Sequence, residues 1–130
     1  MLAIKEKLVK TFIKSLNEVD FKQLESLMHK DIVAHVTIAD GGTKKLASSK
    51  DYINALKAMR LKEVNFRLDV TQLVEIEEDK VMIMVEVQAE KPTKKLHNFA
   101  AHLLQLKNGK IIEMWMVEVL PKYSEEFWLN

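Results

Sequence analysis

The chain contains no cysteine. Disulfides, zinc–thiolate sites, iron–sulfur clusters and thiol catalysis are therefore excluded, and the absence fits a reducing, cytoplasmic setting. Glycine occurs only three times, and neither a phosphate-cradling loop nor a G-x-G-x-x-G turn, nucleophile elbow or H-E-x-x-H helix is written anywhere. Long apolar runs are missing as well. The longest is Val81-Met82-Ile83-Met84-Val85, far short of the about 20 residues that a membrane-spanning helix needs. Nor does one sign of charge dominate, since lysine plus arginine total 20 against 19 acids for a net charge of +1. That balance implies no field for nucleic acid or an anionic membrane. The pairs Lys44-Lys45 and Lys94-Lys95 lack the interleaved aromatics that would stack on bases. Lys5, Lys7, Lys10 and Lys14, with Glu6 among them, break up any apolar core at the N-terminus, so it reads as a structural helix rather than a signal.

What is present is an ordinary globular composition, 48% hydrophobic and 30% charged over 130 residues, which bounds the chain to one domain with its own core. Leu8, Phe12 and Leu16 recur at helical spacing, predicting a helix to about Val19 with lysines on its far side. Asp20 to Gln23 has the spacing of a capping box, so a second short helix follows to about Met28. Ile32 to Ile38 is rich in β-formers and reads as the first strand, ended by Asp40-Gly41-Gly42. Ser48 or Ser49 then caps a third helix running to about Arg60.

Beyond that point strands dominate. Val64, Phe66, Leu68 and Val70 alternate with polar residues, and the alternation shifts at Gln72-Leu73-Val74, which predicts a bulge or bend. After the polar turn Glu77-Glu78-Asp79, Val81, Ile83, Val85, Val87 and Ala89 define one strand face, with Met82, Met84, Glu86, Gln88 and Glu90 on the other. Lys91 to Lys95 reads as a basic loop. Leu96 to Leu120 then forms two strands meeting at Asn108-Gly109. Helices first and an antiparallel meander after them indicate an α+β fold. A bent sheet around the first helix would enclose a cavity suited to a ligand.

The order of elements, the string Asn108-Gly109-Lys110-Ile111-Ile112-Glu113-Met114-Trp115 and the ending Pro121-x-x-Ser124-x-x-Phe127-Trp128 resemble the nuclear-transport-factor-two-like superfamily, and within it SnoaL-like proteins. The resemblance covers essentially the whole chain. It implies a cone-shaped α+β barrel, with three N-terminal helices on a strongly curved, mostly antiparallel sheet. It also implies a pocket for a small hydrophobic molecule and a homodimer through the outer face of the sheet, which Trp115 and Val117 would suit. No cofactor is implied. Polyketide cyclases of this type carry a histidine on the penultimate strand, matched here by His102. Their catalytic aspartate follows the tryptophan, where this chain has Met116.

Two registers are open to the last hairpin. A two-residue turn pairs Lys107 with Lys110, whereas a three-residue loop with a glycine bulge pairs Leu106 with Lys110. The resemblance favours the second, which sets His102 opposite Met114, Ala100 opposite Met116 and Asn98 opposite Glu118. His102 and Glu118 are then candidate catalytic groups, the imidazole titrating near neutral pH and the carboxylate made more basic by apolar surroundings. Asn98, Leu104, Met114, Met116 and, from the first strand, His35 are the candidate ligand-binding residues. In the plainer reading, His102 and Glu118 only satisfy buried polarity. His97 and His102 fall on opposite strand faces and His29 stands alone, so no metal site is expected.

Overall fold

The computed structural model describes residues 2–129. In chain order it contains α1 (Leu2–Glu18), α2 (Phe21–Ser26), β1 (Met28–Thr37), β2 (Thr43–Leu46), α3 (Ser49–Ala58) and a 3-10 turn (Leu61–Val64). Then come β3 (Arg67–Glu77), β4 (Lys80–Lys91), β5 (Lys94–Lys107), β6 (Lys110–Glu118) and α4 (Pro121–Trp128). The strands form one sheet in the order β2-β1-β6-β5-β4-β3, antiparallel throughout except where β1 runs parallel to β6. The architecture is α+β, with an open sheet whose edges are β2 and β3 rather than a closed barrel.

Each helix starts and stops for a local reason. Val9, Phe12, Ile13 and Leu16 bury one face of α1. The helix ends where the Asp20 N–H reaches back to the Ser15 carbonyl at 2.8 Å, with Val19 in the left-handed region at φ 55°. That is the end-of-helix position glycine normally takes. Asp20 Oδ1 accepts from the Gln23 N–H at 3.0 Å and starts α2. Ser48 rather than Ser49 caps α3, its Oγ accepting from the Asp51 N–H at 3.0 Å.

One face of the sheet packs on the helices. Ile83, Val85, Ala100, Leu104, Ile111, Met114 and Ala34 join the α1 face in the main core. The opposite, outer face carries Met82, Phe99, Trp115 and Val117 exposed. The alternation expected in β4 is the alternation observed, and the β3 irregularity falls between Val70 and Gln72.

Several expectations are corrected. The last hairpin turns on two residues, Asn108 and Gly109, both at positive φ, and pairs Lys107 with Lys110. The bulge lies further along, between the pairs Leu106–Ile111 and Gln105–Glu113, so Ile112 is the extra residue. His102 therefore sits opposite Met116, and Ala100 opposite Glu118. β1 begins at Met28, four residues before Ile32. Its partner β2 had no alternation to betray it, because all of its residues but Leu46 are exposed. Val64 belongs to the 3-10 turn and not to β3. Finally, the lysine-rich segment is a tight turn: Lys91 pairs with Lys94, so β4 and β5 run into it from both sides.

Candidate functional site

His102 is delivered to the inner face by the even-numbered positions of β5, all of which are buried from Leu96 to Leu104. It is 6% exposed, and the Phe12 ring of α1 meets it edge-on at 6.1 Å between centroids. Its Nδ1 is buried with no hydrogen-bond partner. Burial holds the imidazole well below its ordinary range, down to about 4, because the surrounding hydrocarbon disfavours the charged form. At neutral pH it is an uncharged ring with one idle nitrogen.

Glu118 shares that inner face but does not supply the partner. It stands opposite Ala100, two pairs along the ladder from His102–Met116, and diagonal positions of this kind lie about 7–8 Å apart. Its half-buried carboxyl is pushed above the usual carboxylate range, chiefly by burial, against hydrogen bonds from Ser124 and Asn98 that favour the ionised form. Asn98 is 1% exposed and uses its whole amide. Nδ2 donates to Glu118 Oε2 at 3.2 Å and to the Leu120 carbonyl at 3.1 Å. Oδ1 accepts from the N–H groups of Phe99 at 2.9 Å and Leu120 at 3.2 Å. Asn98 thus clamps the end of β6 to the middle of β5.

The other expected ligand-binding residues divide between the faces. Leu104 and Met114 are fully buried members of the main core, and half-buried Met116 packs against it, so these three line packed interior rather than an open wall. His35 lies on the outer face. It stacks on Trp115 with centroids 3.8 Å apart and its Nε2 contacts Glu113 Oε2 at 2.9 Å. The parallel pairing of His35 with Trp115 puts it there. His97 is also outside, bonded to Glu86 and remote from His102. Among the described residues no three histidine, aspartate or glutamate side chains gather as metal ligands. Likewise, no described helix is long and apolar enough to cross a membrane.

Two clefts open elsewhere. One, of about 440 Å³, is lined by residues including Asn17, Val19, Lys62, Asn65, Phe66 and Arg67. The other, of about 700 Å³, lies between Glu63, Asn65 and the Glu90–Lys95 turn. His102, Asn98 and Glu118 line neither of them. Two participants were not singled out from sequence. Phe12 faces the imidazole. Ser124, which bonds Glu118, carried the one available signal, its place in the Pro121-x-x-Ser124-x-x-Phe127-Trp128 ending.

Comparison with known proteins agrees with this architecture. No curated protein matches the chain. Among solved structures, Bal32a from a soil-derived mobile gene cassette superposes with a TM-score of 0.82 at 18% identity, covering 97% of each chain. TerC co-crystallised with polyporic acid gives 0.76 at 16% identity, covering 94% of this chain and 96% of that one. A Mycobacterium tuberculosis LEH-like epoxide hydrolase gives 0.74 at 13% identity, covering 95% and 87%. At these identities the likeness is one of fold. The model of the SnoaL-like domain, in contrast, matches the sequence itself over residues 9–114, and the chain belongs to the SnoaL-like family.

Proposed function

We propose that the protein binds a small hydrophobic carbonyl compound against its inner face and moves a proton on it without a cofactor, as an isomerase, cyclase or dehydratase does. One observation carries the reading: the unpartnered Nδ1 of His102 inside an apolar interior. Buried polar atoms nearly always find partners, and leaving one unpaired costs about 1–3 kcal/mol. A ligand oxygen would supply what the fold withholds. Because the ring is neutral, its N–H can donate to a carbonyl oxygen and keep donating as negative charge develops there.

Glu118 is the base in this scheme. Its carboxylate takes a proton from the carbon beside the carbonyl while the C–H electron pair moves through the new C=C bond onto the oxygen. Return of that proton to a different carbon completes an isomerisation; expulsion of a β-hydroxyl as water completes a dehydration. A raised pKa makes Glu118 a better base than an exposed glutamate, and its spacing from His102 suits a small ring held between them.

The test needs no knowledge of the natural substrate. Exchange of the α-protons of β-tetralone in D2O is followed by NMR with catalytic protein. The wild-type chain should accelerate exchange, and Glu118→Gln should remove about two orders of magnitude or more of that acceleration with its circular dichroism unchanged. Equal rates for the two proteins end the proposal.

A second reading is a non-catalytic dimeric binding module. Met116, standing where the resemblance places an acid, favours it, as does a Glu118 carboxylate already bonded to Asn98 and Ser124. In that case native mass spectrometry detects a bound ketone that undergoes no exchange. Both readings share a homodimer built on the outer face, whose exposed apolar residues are the support for it.

A further inference from the structure

We infer that α4 is a hinged cover over the inner face and that it swings at the Leu120–Pro121 junction to open a route to His102. The inference rests on His102 and Glu118 being the working groups, and it concerns how a ligand reaches them.

The inner face of β5 is covered in two parts. Phe12 of α1 lies over His102. Further along the same face, Leu96 and its β4 neighbours Val87 and Ala89 lie under Phe127, Tyr123 and Trp128 of α4. This second contact is a separate apolar cluster, completed by Val64 and Phe66 beside the 3-10 turn. A helix held by a satellite cluster can leave without dismantling the main core, which is how locally opening units are built. Between the two covered parts stand Asn98, tied to Leu120, and Ala100, whose methyl group is the smallest side chain in the row.

The junction is made for a hinge. Asn98 grips both the N–H and the C=O of Leu120, so the fixed part of the chain ends there. Pro121 begins the helix at once, lacking an N–H that would tie it further back. Beyond the hinge, the polar ties of α4 are few and at its rim. Tyr123 Oη donates to the Lys95 carbonyl at 2.7 Å and accepts from the His97 N–H at 3.0 Å, Lys94 Nζ donates to the Glu126 carbonyl at 2.9 Å, and Lys91 Nζ donates to the Phe127 carbonyl. The two clefts meet at Asn65 next to Phe66, which touches Trp128, so solvent already flanks the seat.

The test labels histidines of the full-length chain with diethyl pyrocarbonate, which acylates uncharged imidazole, and reads each site by peptide mass. Hydrogen exchange is measured in parallel. In the wild-type chain the amides of 122–129 should exchange at least tenfold faster than the paired amides of β4 and β5. Phe127→Ala should accelerate labelling of His102 tenfold or more, leaving exposed His29 and the β4–β5 amides as they were. Tyr123→Phe, which removes only the hydrogen bonds to Lys95 and His97, should do the same to a smaller degree. The inference is overturned if α4 exchanges together with β5 in the wild-type chain, for then it is part of the cooperative core. It is equally overturned if either variant frees the α4 amides and His102 labelling does not change. Both readings are independent of catalysis, so an inactive protein with a working cover remains distinguishable.

Discussion

At His102 a buried imidazole makes stability depend on pH in a definite sense. Its folded-state value of about 4 lies below the ordinary 6.5, so between those limits the unfolded chain binds a proton that the folded chain refuses. Stability therefore falls as pH drops through that window, by on the order of 3 kcal/mol for the full shift. Glu118 works in the opposite direction. Its folded value is raised, so on acidification the folded chain takes up that proton first and is favoured. His102→Leu separates the two contributions. Urea unfolding at about pH 7 and about pH 4.5 should show the variant losing clearly less stability between them than the wild type does. A wild-type slope in the variant would mean that the ring titrates normally. Val19 is a second residue whose backbone conflicts with its side chain, since a β-branched residue at φ 55° is strained by about 1–2 kcal/mol. Glycine relieves that strain while losing some conformational entropy, so Val19→Gly should gain about 1 kcal/mol in the same measurement.

At the scale of elements, the β5–β6 hairpin depends on one residue. Continued regularly, the Lys107–Lys110 pairing would place Trp115 opposite His102 and turn its ring into the core. The extra residue Ile112 restores the register that sends Met114 and Met116 inward and Trp115 outward. A one-residue slip exchanges the faces of a strand. Deleting Ile112 should therefore abolish the cooperative thermal transition, whereas Ile112→Ala should cost about 1 kcal/mol. The hairpin also shows what could be read beforehand. Face membership was legible, because a strand with one buried side alternates whatever its exact partner. The pairs were not, because the sequence-level register differs from the real one by two positions, a shift that preserves the alternation. His35 failed differently. Its alternation with Ala34 was plain, but which side counts as inner is decided by the parallel pairing of β1 with β6, a contact between segments at least 80 residues apart. β2 and α4 were invisible for a related reason: short elements take their place from tertiary contacts more than from their own periodicity.

For the whole molecule, the outer face is the feature a monomer does not explain. Leu103 faces Trp115 and Ala101 faces Val117 across the β5–β6 ladder, while Met82 and Met84 continue the band on β4. Trp115 is 41% and Val117 50% exposed. Monomers rarely expose a contiguous apolar patch larger than a few hundred Å². Around the band run two histidine–glutamate pairs, His35 with Glu113 and His97 with Glu86, giving the apolar centre and polar rim of an interface. Trp115 is the natural anchor, being large, central and already held flat by its stack on His35. Trp115→Glu puts a charge in the middle of that contact, and losing such an anchor costs about 2 kcal/mol or more. Light scattering should then report a dimer for the wild-type chain and a monomer for the variant at the same concentration. Because the tryptophan contributes nothing to the inner core, the variant's circular dichroism should be unchanged. A wild-type chain that scatters as a monomer at tens of micromolar removes the dimer. A variant that remains dimeric moves the contact to some other face.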